Sequence, residues 1–206
     1  MSLWSTQPDA AAGEDSMMVY SLPTLNFGTL TIMSAGTTVG PPTDFSRSLI
    51  RFDLSALPSN QVIGWAKLIL YVNAQAGSGS LYVARCTKAW VEAEVSWNNY
   101  KTGSAWDTPG GDWDGSDVVT SAFVGAGSDH TIDITSLAVD AMRNRSGVLN
   151  LLLKKQFEIS GDNYIQYRTS DHATPADRPE LQMELIEPAP RVVKSQSWRA
   201  RELVGG

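Results

Sequence analysis

Short runs in which apolar and polar residues alternate recur along the chain, separated by clusters of glycine, proline, serine and asparagine. "SLIRFDL" (48–54) and "HTIDIT" (130–135) alternate, and "AKLILYV", "SLYVARC", "VLNLLLKK", "YIQYRTS" and "LQMELIE" continue the series. A period of two places alternate side chains on opposite faces of an extended strand, so each run reads as a half-buried or fully buried strand. Between them, "GTTVGPPTD", "LPSNQ", "QAGSGS", "VGAGSD" and "SGDN" supply turns. The spacing predicts one helix only, over 137–145, with Thr135 and Ser136 as cap candidates and Gly147 at its close. Many short strands with one short helix predict an all-β fold, an antiparallel, jelly-roll-like β-sandwich. The expected organisation is an N-terminal arm over 1–13, the sandwich over 14–187 and a basic tail over 188–206.

At 206 residues the chain is long enough to bury roughly 70% of its unfolded surface without covalent staples. Its one cysteine, Cys86, excludes an intramolecular disulfide and reads as a small buried thiol. The tail holds four cations against Glu202, so it carries +3 of a chain whose net charge is −6 and leaves −9 on the remainder. An acidic body lacks the clustered basic face that nucleic acid requires. No apolar run approaches a membrane span, and the first residues have neither the basic nor the apolar region of an export signal. A soluble, leaderless protein is the expectation.

Catalytic chemistry finds few of its parts. His130 and His172 are the only histidines, and both read as turn or surface residues. No zinc spacing, esterase elbow or phosphate loop is present, and a carboxylate pair chosen among 22 acids carries no specificity. The expectation is a protein that is not an enzyme.

The segment "VSWNNYKTGSAWDTPGGDWDGSD" (95–117) concentrates the remaining signals. Asp112, Asp114 and Asp117 could donate three of the oxygens that a calcium ion wants, or shape turns through bonds to the backbone. Trp97, Tyr100, Trp106 and Trp113 could stack against sugar rings, or fold back to give a long loop its own small core. Residue types alone leave these readings open.

In order, "EDSMMVYSLPTLNFGT", "RSLIRFDLSALP", "AKLILYV", "AWVEAEVSWNNY", "AWDTPGGDWD", "IDITSLAVDAMRN" and "YRTSDHATPADRPELQM" resemble the DNRLRE-domain family. That resemblance implies a β-sandwich module of the kind found on secreted and phage virion proteins, some relatives binding acidic polysaccharides. It implies that Trp97 and Trp106 are framework anchors, and that Arg51, Asp53 and Arg178 are framework polar groups. It also implies a calcium site near Glu14 and Asp15.

Two functions are therefore expected. The first is a non-enzymatic virion protein, a capsid decoration or tail-associated module, made in the host cytoplasm. It would form a homo-oligomer or dock on other virion proteins through Trp4 in one arm and Trp198, Arg199 and Arg201 in the tail. The second is a carbohydrate-binding module whose polysaccharide contacts are Tyr100, Lys101 and Trp113. Neither needs a cofactor beyond a structural Ca2+, for which Glu14, Asp15, Asp112, Asp114 and Asp117 are the candidates, and neither involves nucleic acid or a membrane.

Overall fold

The computed structural model describes residues 1–38, 43–58, 60–158 and 161–187. The strands are β1 (Ser2–Thr6), β2 (Glu14–Val19), β3 (Ile32–Thr38), β4 (Asp44–Asp53), β5 (Val62–Ala76) and β6 (Ser80–Cys86), of which the alternating runs account for β4, β5 and β6. They continue as β7 (Asn99–Lys101), β8 (Ser104–Ala105), β9 (Trp113–Ala122), β10 (Asp129–Asp133), β11 (Val148–Lys155), β12 (Asn163–Arg168) and β13 (Glu180–Ile186). All the pairings are antiparallel. The main path runs β1-β13-β5-β12-β3-β4-β11-β6-β9, with β10 added to β5 and β2 to β4.

β5 turns this path into a curled sheet. Its first half pairs with β13 on one edge and β10 on the other, and its second half pairs with β12. Ala66, Leu68, Leu70 and Val72 point from it into one continuous core with Ile50, Phe52, Leu151, Leu153, Ile165 and Met183. The result is a half-barrel with the sandwich-like, all-β character expected.

The helix α1 (Thr135–Asn144) closes one flank of that core with Leu137, Ala138, Ala141 and Met142. Its start lies two residues earlier than the spacing predicts. Asp133 sets it, accepting hydrogen bonds from the Thr135 amide at 3.0 Å and its hydroxyl at 2.6 Å. Gly147 ends it with φ +82°, and a Cβ there would lie 2.9 Å from the Leu54 carbonyl carbon, so both conformation and space favour glycine.

Residues 1–13, expected as an arm, contain β1, which pairs along β13 from Ser2 with Leu185 to Thr6 with Leu181. Trp4 packs partly buried against the chain's own core. Hydrogen bonding of an otherwise open sheet edge accounts for this placement.

His130 also departs from expectation. It is buried in β10, not on a turn, with Nε2 2.7 Å from the Ser121 hydroxyl and Nδ1 2.7 Å from the Tyr167 hydroxyl. Neutral imidazole offers one donor and one acceptor, and two hydroxyls can complement both. Burial pulls its pKa from 6.5 down to about 4. The neutral form is therefore the folded one, and its contribution is complete above pH 6.5 and lost as pH falls towards 4. Unfolding free energy should drop by about 2–3 kcal/mol across that window from this group. Urea titrations at pH 7.5 and 4.5 should show a smaller drop for His130→Gln than for the parent chain; equal drops would exclude this role.

Candidate functional site

β4 and β11 are apolar on consecutive residues, so the sheet needs cover on its outer face as well. Leu49 and Leu152 point away from the main core and join Met18, Cys86, Trp90, Val95, Trp97 and Trp106 in a second cluster. Most of that cover comes from the connection between β6 and β9. Trp97 and Trp106 are 7% and 4% exposed, and the Trp106 indole donates to the Ser96 carbonyl at 2.9 Å. Arg47 stacks over Trp97 at 5.1 Å, donates to the Gly110 carbonyl at 2.9 Å and pairs with Glu158 at 2.7 Å. These tryptophans are anchors of the loop.

The structure ends the expected loop at 112: Asp112 lies in it, whereas Trp113, Asp114 and Asp117 belong to β9, and the three aspartates are occupied separately. Asp112 accepts the amides of Asp107 and Thr108, both at 2.8 Å. Asp114 accepts the Ser116 amide and hydroxyl and pairs with Arg85 at 2.7 Å; these bonds hold its carboxyl well below the usual range. Asp117 accepts the Ser136 hydroxyl at 3.0 Å. Each does what a turn or linking aspartate does, and the three do not form a common ligand set.

The sugar-platform candidates are likewise dispersed in role. Tyr100 and Trp113 pack half-buried against the second cluster. Lys154 lies 5.7 Å over the Trp113 ring, and Lys88 and exposed Lys101 lie 5.9 and 5.7 Å from the Tyr100 ring centroid.

A groove of about 630 Å3 opens on the outer face where the loop's cover stops. Glu14 and Asn150 stand opposite Arg51 on the neighbouring strands β2 and β11, and these three residues with Asp53, Arg85, Lys88 and Arg145 supply the groove's charged and amide groups. Cys86 lies in its buried wall, where desolvation pushes the thiol up to about 11 and leaves it unreactive at neutral pH.

Asn150 fixes the floor. Its amide donates to the carbonyls of Cys86 at 3.2 Å and Lys88 at 2.8 Å, and its oxygen accepts the Trp90 indole N–H. Arg51 bridges the Glu14 carboxylate and the Trp90 carbonyl while stacking 4.5 Å over the Trp90 ring. Arg85 is shared between Asp114 and, at 3.7 Å, Asp140 of α1; Arg145 pairs with Asp140 at 3.1 Å and Lys88 with Asp107 at 2.8 Å. The groove is thus a preorganised set of guanidinium and ammonium groups, with Arg145 and Lys88 held by the more exposed pairs.

Elsewhere Asp15 leaves Glu14 behind. Glu14 is engaged by Arg51, whereas Asp15 is buried beside Glu92 and Asp171, with ligand-type oxygens of the three within 4.8 Å of one another. Glu92, Asp171 and the groove's Arg51, Arg85, Lys88 and Arg145 are the site residues that sequence patterns do not single out as sets. Trp198, Arg199 and Arg201 lie outside the described residues.

A family model described as "Disaggregatase related repeat domain" matches residues 21–183, well over half of the chain. No curated protein matches it. The family is a different one from DNRLRE, so what stands of that resemblance is the β-rich domain and not the family named.

If Trp106 is an anchor, Trp106→Ala should cost about 3–5 kcal/mol in urea unfolding. Tyr100→Ala, at the margin of the same cluster, should cost less than half of that. A Trp106→Ala chain as stable as the parent would mean that the loop does not depend on its second core.

Proposed function

The chain belongs to the disaggregatase-related repeat family, and from that premise we propose that it is a non-enzymatic module that binds an anionic polysaccharide along the outer-face groove. The observation that carries this reading is the convergence of Arg51, Arg85, Lys88 and Arg145 on one concave surface with an amide-fixed floor. Arginine's planar fork matches carboxylate and sulfate oxygens two at a time, and lysine adds a mobile point charge. Glu14 and Asp53 on the rim accept sugar hydroxyls and repel polymers of very high charge density.

The electrostatics favour exchange over simple capture. Lys88 pairs with Asp107, whose side chain is 78% exposed, and Arg145 is itself 44% exposed. Exposed pairs of this kind contribute little, about 0–1 kcal/mol, so a polymer carboxylate can replace Asp107 or Asp140 at small cost. Affinity from one groove is then modest. A domain that occurs as a repeat gains by linking several such grooves on one chain, where effective concentration raises avidity without new contacts.

Docking to virion proteins or to copies of itself through the termini is supported less well. Trp4 is committed to the chain's own core, which removes one of the two contacts that reading uses.

Affinity electrophoresis tests the groove. Migration should be retarded by alginate and polygalacturonate but not by dextran, and the retardation should fade at high salt. Lys88→Ala/Arg145→Ala should weaken binding about tenfold or more, because each removes a charge-assisted contact. Trp113→Ala should leave it unchanged. Equal retardation by dextran, or full binding by the double variant, would overturn the groove reading.

A further inference from the structure

The pairing of β6 with β9 breaks at one residue of the groove's wall. The two strands pair regularly from Ser80 with Ala122 to Ala84 with Val118, and again at Cys86 with Trp113. Residues 114–117 therefore stand opposite Arg85 alone. A bulge re-aims the side chains around it, and this one delivers a carboxylate to that arginine. Asp114 Oδ1 accepts the Ser116 amide at 2.9 Å and its hydroxyl at 2.6 Å, which turns the extra residues back on themselves. Asp114 Oδ2 then accepts Arg85 Nη2 at 2.7 Å. Asp117 fastens the far end of the bulge to α1 through the Ser136 hydroxyl.

The groove's cations differ in which donors they have free. Arg51 donates through Nη1 to Glu14 and through Nη2 to the Trp90 carbonyl, and its guanidinium carbon lies 4.5 Å over the Trp90 ring. Both terminal nitrogens and one face of Arg51 are engaged. In Arg85 the engaged nitrogens are Nη2, bonded to Asp114, and Nε, 3.7 Å from Asp140; these two share one edge of the planar fork. Nη1 has no hydrogen-bond partner among the described residues and is not buried. Each terminal nitrogen carries two N–H groups, so the edge formed by Nη1 and Nη2 keeps a parallel pair of donors. Arg85 lines the groove, whereas Asp114 and Asp140 do not. The two carboxylates hold the guanidinium from outside the groove.

We propose that Arg85 is the carboxylate-binding residue of the groove, gripping both oxygens of one polymer carboxylate through Nη1 and Nη2, and that Asp114 positions it for that contact. On the polysaccharide-binding reading, on which this rests, Lys88 and Arg145 draw the polymer in from their exposed pairs, and Arg85 fixes the group that docks. Parallel N–H donors match a planar carboxylate in a way that an ammonium group does not. Asp114 is the discriminating residue, because charge and positioning give it opposite signs. By charge alone, removing a carboxylate beside a cationic groove strengthens anion binding. If that carboxylate holds Arg85 in place, removing it lets the guanidinium turn away and binding weakens.

The test is affinity electrophoresis of the full chain and its variants in alginate and in polygalacturonate. Asp107→Asn and Asp114→Asn each remove one negative charge without changing side-chain size. Asp107→Asn, which releases Lys88 from an exposed partner, should tighten binding about two- to fivefold. Asp114→Asn should weaken it about fivefold. Arg85→Lys, which keeps the charge and loses the fork, should weaken it about tenfold while the salt dependence stays that of the parent. Urea midpoints without polymer report on folding, and asparagine at 114 keeps an oxygen for the Ser116 turn, so that comparison survives should Arg85→Lys unfold the chain. Tighter binding by Asp114→Asn, in step with Asp107→Asn, would overturn the assignment of Arg85 and Asp114 and leave the groove reading in place. So would parent-like binding by a folded Arg85→Lys chain. A parent chain that neither polymer retards would overturn both.

Discussion

The structure depends on a sheet whose central strands cannot tolerate water on either face. Ile50 and Phe52 face one core while Leu49 faces another, and Leu151 and Leu153 oppose Leu152 in the same way. A half-barrel ordinarily exposes its outer surface, where alternation would place polar groups. Here the chain must supply a second layer, and it does so with the long connection between β6 and β9, whose only regular structure is the small β7–β8 hairpin. Trp90, Val95, Trp97 and Trp106 are the apolar content of that layer. The constraints on the loop follow. Gly110 has φ +90° and a Cβ there would lie 2.7 Å from the Trp97 ring, so the turn that delivers the loop back to β9 leaves no room for a side chain.

The groove and the acidic cluster both arise where this cover meets the edge of what it covers. At one margin the loop starts at Lys88, whose carbonyl accepts the Asn150 amide of β11, and the polar row of Glu14, Arg51 and Asn150 stays open as the groove. Between Trp90 and Val95, both packed down on the sheet, the chain presents Glu92 to the amide of Asp15. Anchoring on either side fixes where Glu92 can go. The side chains that could do chemistry are therefore held by the apolar ones that do none, which is the arrangement that precise positioning of a site requires.

Strands β4, β5, β6 and β10 to β13 are legible because period-two alternation is a local property, and so is the helix, whose flanks of Asp133 and Gly147 lie within a few residues of it; β2, β3 and β7 to β9 carry no such alternating run. Three further kinds of feature are not legible. β1 becomes a strand only because the edge of β13, at the far end of the described chain, is available to it, pairing Ser2 with Leu185 and Thr6 with Leu181. His130 alternates with Ile132 as any strand residue would, and its hydroxyl partners, Ser121 and Tyr167, come from two other strands. The cluster of Asp15, Glu92 and Asp171 spans most of the chain, so nothing in the spacing joins them. By contrast, Asp112, Asp114 and Asp117 crowd together in sequence and part company in space, since each is claimed by a nearby amide, hydroxyl or guanidinium. Proximity along the chain is a poor guide to a ligand set when turns compete for the same oxygens. The ordered motifs pointed to a β-rich module but to a different family from the one that matches; framework tryptophans and strand alternation answer to packing needs that β-domains of different families share.

The electrostatic setting limits what such a groove can select. The chain carries −6 overall, yet four cations line this one surface, each already answered by a carboxylate from the loop, from α1 or from β2. A nucleic acid brings phosphates so closely spaced that its field would act on every acidic group near the rim, with no extended basic face to offset the repulsion. A polymer with one charge per sugar can instead set a carboxylate against Arg145 or Lys88 while its hydroxyls meet Glu14 and Asp53. Selectivity then comes from charge spacing as much as charge sign. Under the proposed reading, the ion pairs within the groove set the threshold that a ligand's charges must exceed.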